Sequence, residues 1–171
     1  MELHKLASSL EEKLSKYNVK VFVGGSYALR HVYKLLDRDI NDIDMIISYR
    51  STENVTKEVM GEAILEALGG LFPLDTLESA CDHYESSNWI VNHKVRTIVG
   101  YAATEVNFLC SADKHYRDYN SKVAHEGVKV VELGTLLEAK GSYYRLKDIV
   151  DFFEMSKKLT GYCKDPDNLP F

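Results

Sequence analysis

The sequence predicts a mixed α/β (α+β) fold: a sheet flanked by helices, with a short helical segment at its C-terminal end. Three observations carry this. Short runs of β-branched and apolar residues alternate with stretches of helical periodicity, glycine pairs punctuate the junctions at Gly24-Gly25 and Gly69-Gly70, and residues 135–159 have only helical patterning. Leu3, Leu6, Ala7, Leu10 and Leu14 recur at helical spacing, so residues 2–16 form an amphipathic helix that stops at Asn18. Val19 to Val23 is a short apolar run suited to a buried strand, and Gly24-Gly25-Ser26 turns it into a helix carrying Ala28, Leu29, Val32, Leu35 and Leu36. Residues 37–41 connect to a second strand over 42–48, whose opening Asp42-Ile43-Asp44 places both carboxylates on one face. Residues 54–68 are helical, ended by Gly69-Gly70. Strands follow around Trp89–Val99 and Val106–Cys110, with another near Leu71–Leu74. Residues 111–127 read as a polar loop, Val128–Val131 as a short β run, and Thr135–Lys140 and Leu146–Leu159 as helices. Ile149, Phe152, Phe153 and Leu159 are the expected buried stripe of the last helix, and the proline-containing tail from Asp165 is expected to be extended.

Composition limits the class of protein. With 171 residues, 45% of them hydrophobic, and 10 Gly and 3 Pro, the chain suits one packed domain over 1–171, divided into core sheet and helices (1–111) and loop plus helical appendage (112–171). No apolar run approaches the length of a membrane span, and the charged N-terminus resembles no export signal. The three cysteines, Cys81, Cys110 and Cys163, are odd in number and far apart, which suits reduced thiols and a cytoplasmic location. The formal charge of -5 argues against simple electrostatic nucleic-acid binding. It is uneven: residues 1–92 hold 9 Lys/Arg against 15 Asp/Glu, residues 93–171 hold 12 against 11.

The stretch with chemistry in it is Gly24-Gly25-Ser26 followed by Asp42-Ile43-Asp44. Glycines after a strand let backbone N–H groups approach an anion, and the Ser26 hydroxyl adds a donor, so the turn can hold a phosphate. Two carboxylates on one strand face cannot both be buried unpaired, and divalent cations between them would clamp the oxygens of a transferring phosphoryl group. Each motif alone is commonplace; the two in succession point to one site. The histidines His83, His93, His115 and His125 lack zinc-ligand spacing. Tyr116, Arg117, Tyr119 and Lys122 could stack on a base, although an ordinary loop accounts for them as well. Trp89 suits the core.

The order strand, Gly-Gly-Ser, helix, Asp-x-Asp resembles the nucleotidyltransferase superfamily, with its DNA polymerase beta-like mixed sheet. Gly24-Gly25-Ser26-Tyr27-Ala28-Leu29, Asp37-Arg38 and Asn41-Asp42-Ile43-Asp44 are most similar to the AbiEii-type toxins of type IV toxin–antitoxin systems. Leu136-Leu137-Glu138-Ala139-Lys140 and Tyr144-Arg145-Leu146-Lys147-Asp148-Ile149-Val150-Asp151-Phe152 resemble the two later helices of that family. The likeness covers residues 21–47 and 133–152 and not the region between. It implies a magnesium-dependent enzyme, with two metals expected and manganese as a substitute, that transfers NMP from an NTP to a tRNA, protein or small-molecule hydroxyl. It implies Asp42, Asp44 and, as the favoured third carboxylate, Glu105 as metal ligands, and Gly24, Gly25, Ser26, Arg38, Lys140, Arg145 and Asp148 as nucleotide-binding residues. The third carboxylate the superfamily supplies is Glu105 or, at the position between apolar neighbours, the neutral Asn107. The two lie roughly 6.6 to 7 Å apart along one strand face, and strand register decides between them. Two alternatives stand beside the enzyme: a nucleotide-binding pseudoenzyme, motivated by Asn107, and an antitoxin or immunity-type module whose acidic first half meets a protein partner.

Overall fold

In the computed structural model, residues 3–40, 42–49, 55–71, 74–83, 89–99, 102–111, 123–142 and 145–161 are described, with the side chains of Lys57, 74–83, 89–99, 102–104 and Ser111 left aside. The tail from 162, the segment 112–122, and the side chains of Cys81, His83, Trp89 and His93 lie outside the described residues.

The first helix, α1 (Leu3–Lys13), buries Leu3, Leu6 and Leu10 completely. It runs into a 3-10 turn at Ser15–Tyr17, and Asn18 reverses the chain at φ 51, a left-handed conformation that asparagine tolerates. Strand β1 (Lys20–Gly24) leads without a linker into the seven-residue α2 (Gly25–His31). That helix is shorter than its apolar spacing predicts. Lys34 takes a left-handed φ of 58, so Leu35 and Leu36 are buried from an irregular segment, and the Arg30 guanidinium donates to the Asp37 and Arg38 carbonyls.

Strand β2 (Asp42–Ser48) lies in the middle of the sheet, antiparallel to β1 and parallel to β5 (Ala102–Ser111). Between them in sequence come α3 (Lys57–Gly69), capped by the Thr56 hydroxyl accepting from Val59 N–H at 3.2 Å, and the hairpin of β3 (Leu74–His83) and β4 (Trp89–Val99). The ten-residue β3 is far longer than the strand expected near Leu71–Leu74. Two short strands, β6 (Ala124–His125) and β7 (Val128–Val130), close the other edge, giving the order β3-β4-β5-β2-β1-β7-β6. The chain ends its described part in α4 (Leu133–Ser142) and α5 (Leu146–Thr160), α5 being stopped by Gly161 at φ 69.

Phe108, Met45 and Ile47 from the central strands, Leu29 from α2 and Met60, Ile64 and Leu68 from α3 are fully buried with the leucines of α1. Burial on this scale stabilises by about 1.5–3 kcal/mol per large side chain. The last helix contradicts the sequence reading. Its buried residues are Asp148, Asp151 and Met155, while Ile149, Phe152, Phe153 and Leu159 are exposed, together with Leu146 and Val150. The buried Lys140, with the more exposed Arg38 and Arg145, faces the two aspartates and sets which way this helix turns.

Candidate active site

The alternation of β2 leaves Asp42 and Asp44 on one face, partly buried, while Ile43, Met45 and Ile47 fill the other. The neighbouring strands complete the surroundings. On one side, the parallel register sets Glu105 beside Asp42 and Asn107 beside Asp44. Asn107 Nδ2 donates to Asp42 Oδ2 at 3.0 Å and to Asp44 Oδ1 at 3.3 Å, and its own Oδ1 is buried without a hydrogen-bond partner. On the other side, Gly24 is paired with Asp44 in the antiparallel register, and Gly25 follows at φ +60. A Cβ at Gly25 would stand 1.9 Å from Asp44 Oδ2. Glycine is therefore required there both for its conformation and because the turn's backbone lies against the carboxylate.

This crowding has an electrostatic cost. Burial, and then the charge of Asp42, push Asp44 up to about 6; the Asn107 hydrogen bond and the charges of Lys140 and Lys147 pull the other way without cancelling the rise. The carboxylate pair would be relieved by a positive charge between its members.

A second cluster adjoins the first through Ser26 and Arg38. Arg38 Nη2 donates to Ser26 Oγ at 3.1 Å, and its guanidinium grips Asp151 in a two-pronged contact, Nε to Oδ1 and Nη2 to Oδ2, both at 2.7 Å. Lys140 Nζ reaches Asp151 Oδ2 at 2.8 Å and Asp148 Oδ1 at 2.9 Å, and Arg145 Nε reaches Asp148 Oδ2 at 2.5 Å. Burial by itself would raise the Asp148 and Asp151 carboxyls; the hydrogen bonds and charges of Arg145, Lys140 and Arg38 outweigh it and hold both below the ordinary carboxylate value. Three cations against two carboxylates leave this cluster net positive beside the net negative β2 pair.

The structure thus gathers the residues singled out in the sequence into two touching groups: Gly24, Gly25, Asp42, Asp44 and Asn107, then Ser26, Arg38, Lys140, Arg145 and Asp148. Glu105 stands at the Asp42 end of β5, partly buried. Asp151 was not among the site residues expected from the sequence, yet it is the carboxylate that Arg38 and Lys140 share; its spacing of three from Asp148 was the available signal.

Among the described residues no group of three or more His, Cys, Asp or Glu side chains could hold a metal ion. Asp42 and Asp44 are the adjacent carboxylates that could hold a divalent cation. No helix among the described residues is long and apolar enough to cross a membrane.

No protein-family signature matches the chain, and neither does any curated protein. Solved structures do. A structure described as a "putative nucleotidyltransferase from H. pylori" aligns over 96% of this chain and 76% of its own length, at 16% identity and a TM-score of 0.51. JHP933 from Helicobacter pylori aligns over 98% of this chain and 75% of its own, also at 16% identity, with a TM-score of 0.50. At this identity the likeness is one of fold: the chain has a nucleotidyltransferase-like fold, a mixed sheet flanked by helices with a helical C-terminal segment.

Proposed function

We propose that this protein is a nucleotidyltransferase that moves a nucleoside monophosphate from an NTP to a hydroxyl acceptor. A bond forms between the acceptor oxygen and the α-phosphorus, the bond from that phosphorus to the bridging β-phosphate oxygen breaks, and pyrophosphate leaves with that electron pair. The acceptor's proton passes to solvent or a nearby base. The observation that carries the reading is the contact of the Gly24-Gly25 turn with Asp44, because it makes a phosphate-holding turn and a carboxylate pair one continuous surface.

In this reading Asp42 and Asp44 hold the divalent cation, which when bound would neutralise charge on the phosphates. Gly25 and Ser26 offer the triphosphate the backbone amides and hydroxyl of the turn, and Arg38 fixes the Ser26 oxygen so that its proton is left for the ligand. Lys140 and Arg145, anchored by Asp148 and Asp151, orient the positive cluster toward the phosphate end of the site. The acceptor falls within tRNA, protein or small molecule, and a cytoplasmic enzyme related to the AbiEii-type toxins is the setting the sequence resemblance supports.

The test is label transfer from α-labelled NTPs to total tRNA, total protein and small hydroxyl acceptors in the presence of magnesium. Transfer that disappears in Asp42→Ala and Asp44→Ala supports the reading; transfer undiminished in both rejects the assigned site. Asn107 favours a second reading, a nucleotide-binding pseudoenzyme, because a neutral amide occupies the position beside Asp44. Calorimetric NTP binding with no turnover across nucleotides and acceptors would select it.

A further inference from the structure

The amide that bridges the two carboxylates has a consequence for how many cations the site can hold. We infer that Asn107 makes this a one-cation site, binding a single divalent ion between Asp42, Asp44 and the nucleotide phosphates where a carboxylate at the same register would admit two. The inference rests on the reading of the site given above and concerns its metal stoichiometry.

Three observations support it. Asn107 is the β5 residue in register with Asp44, so any β5 ligand shared with both aspartates comes from this position. Its Nδ2 donates to both carboxylates and so occupies lone pairs that two bridging cations would need. Turning the amide over would offer its otherwise unpartnered Oδ1, a neutral oxygen able to join one cation's shell but bringing no charge. Glu105 does not fill the gap: it stands two residues away in register with Asp42, and no three carboxylates among the described residues come together as a metal site. Two aspartates carry a formal charge that one divalent ion cancels. A second ion would gain no charge from the β5 position that both aspartates share, because that position is the neutral Asn107.

Two divalent ions in such sites sit roughly 3.5–4 Å apart, close enough for a pair of Mn2+ ions to be spin-coupled. The experiment is electron paramagnetic resonance and equilibrium dialysis of the full chain with Mn2+ and, in turn, the α,β-methylene analogues of ATP and GTP. Expected for the wild type is one Mn2+ per chain with the spectrum of an isolated ion, and for Asn107→Asp a second equivalent with a spin-coupled spectrum. A coupled pair in the wild type would overturn the one-cation inference while leaving the nucleotidyltransferase reading in place. No protein-bound Mn2+ sensitive to Asp42→Ala would overturn both. Should Asn107→Asp fail to fold, the wild-type count and spectrum alone decide the matter.

Discussion

Lys140→Met isolates the ion network that orients α5. Lys140 is almost fully buried between Asp148, at 0% exposure, and Asp151, at 1%, with contacts of 2.9 and 2.8 Å. Removing one partner of a buried pair costs about 3–5 kcal/mol, chiefly because charge is left uncompensated. Arg145 and Arg38 remain on the two carboxylates, so the lower end, about 3 kcal/mol, is expected; for a chain of this size that lowers Tm by about 6–12 °C. The sign of the pH dependence follows from the depressed carboxyls. Their stabilisation is fully present above the unfolded aspartate value, about 3.9, and is lost as pH falls through the still lower folded values. The gap between wild type and Lys140→Met is therefore widest near neutrality and narrows in acid. Scanning calorimetry from about pH 2 to about pH 7.5 measures it, with Asp151→Asn and the double variant completing a cycle. A Tm change under about 2 °C at pH 7, or a loss that does not shrink in acid, would refute the reasoning.

Other substitutions test neighbouring features. Gly25→Ala forces a Cβ into the Asp44 carboxylate at φ +60 and should cost more than about 2 kcal/mol in urea unfolding, whereas Gly69→Ala, with nothing within 4 Å, should be neutral or stabilise by about 0.4–1 kcal/mol. Asp44 titrates in the opposite sense to Asp148: a carboxyl raised to about 6 is a liability that grows as pH rises from about 4 to 6. Asp44→Asn should accordingly raise the metal-free Tm at pH 7.5, by about 1–3 kcal/mol in stability, and abolish the further rise that Mg2+ gives the wild type. That Mg2+-induced rise should be larger at pH 7.5 than at pH 5. Phe153→Ser, on the exposed side of α5, should change stability by less than about 0.5 kcal/mol; a cost above 2 kcal/mol by chemical denaturation would mean that Phe153 is packed.

The legible parts of the fold are those set by neighbouring residues. The strand, glycine turn and helix from Lys20 to Leu29 follow from local patterning, and so does the shared face of Asp42 and Asp44. The orientation of α5 was not legible, because both of its faces have helical spacing. One face carries Leu146, Ile149, Val150 and Phe153, the other Asp148, Asp151 and Met155, and burial of the aspartates depends on Lys140 from the preceding helix and on Arg38 from a distant segment. The length of β3 was hidden for a different reason: Asp75, Glu78 and Asp82 break the apolar run that would mark a strand. In the candidate site, the competition between Glu105 and Asn107 turned on register, which one strand's sequence does not contain.

The hydrogen bonds from Arg38 to Asp151 span 113 residues. On a ribosome, the glycine turn and the Asp42/Asp44 strand are synthesised long before the helix that anchors Arg38 beside them. Loop-closure entropy is likewise met before this contact returns any energy. The carboxylate strand can therefore pair early, but the cationic half of the site takes its final position only once α5 has emerged and docked. Of the two halves, the negatively charged one is made first, and the positively charged one is completed last.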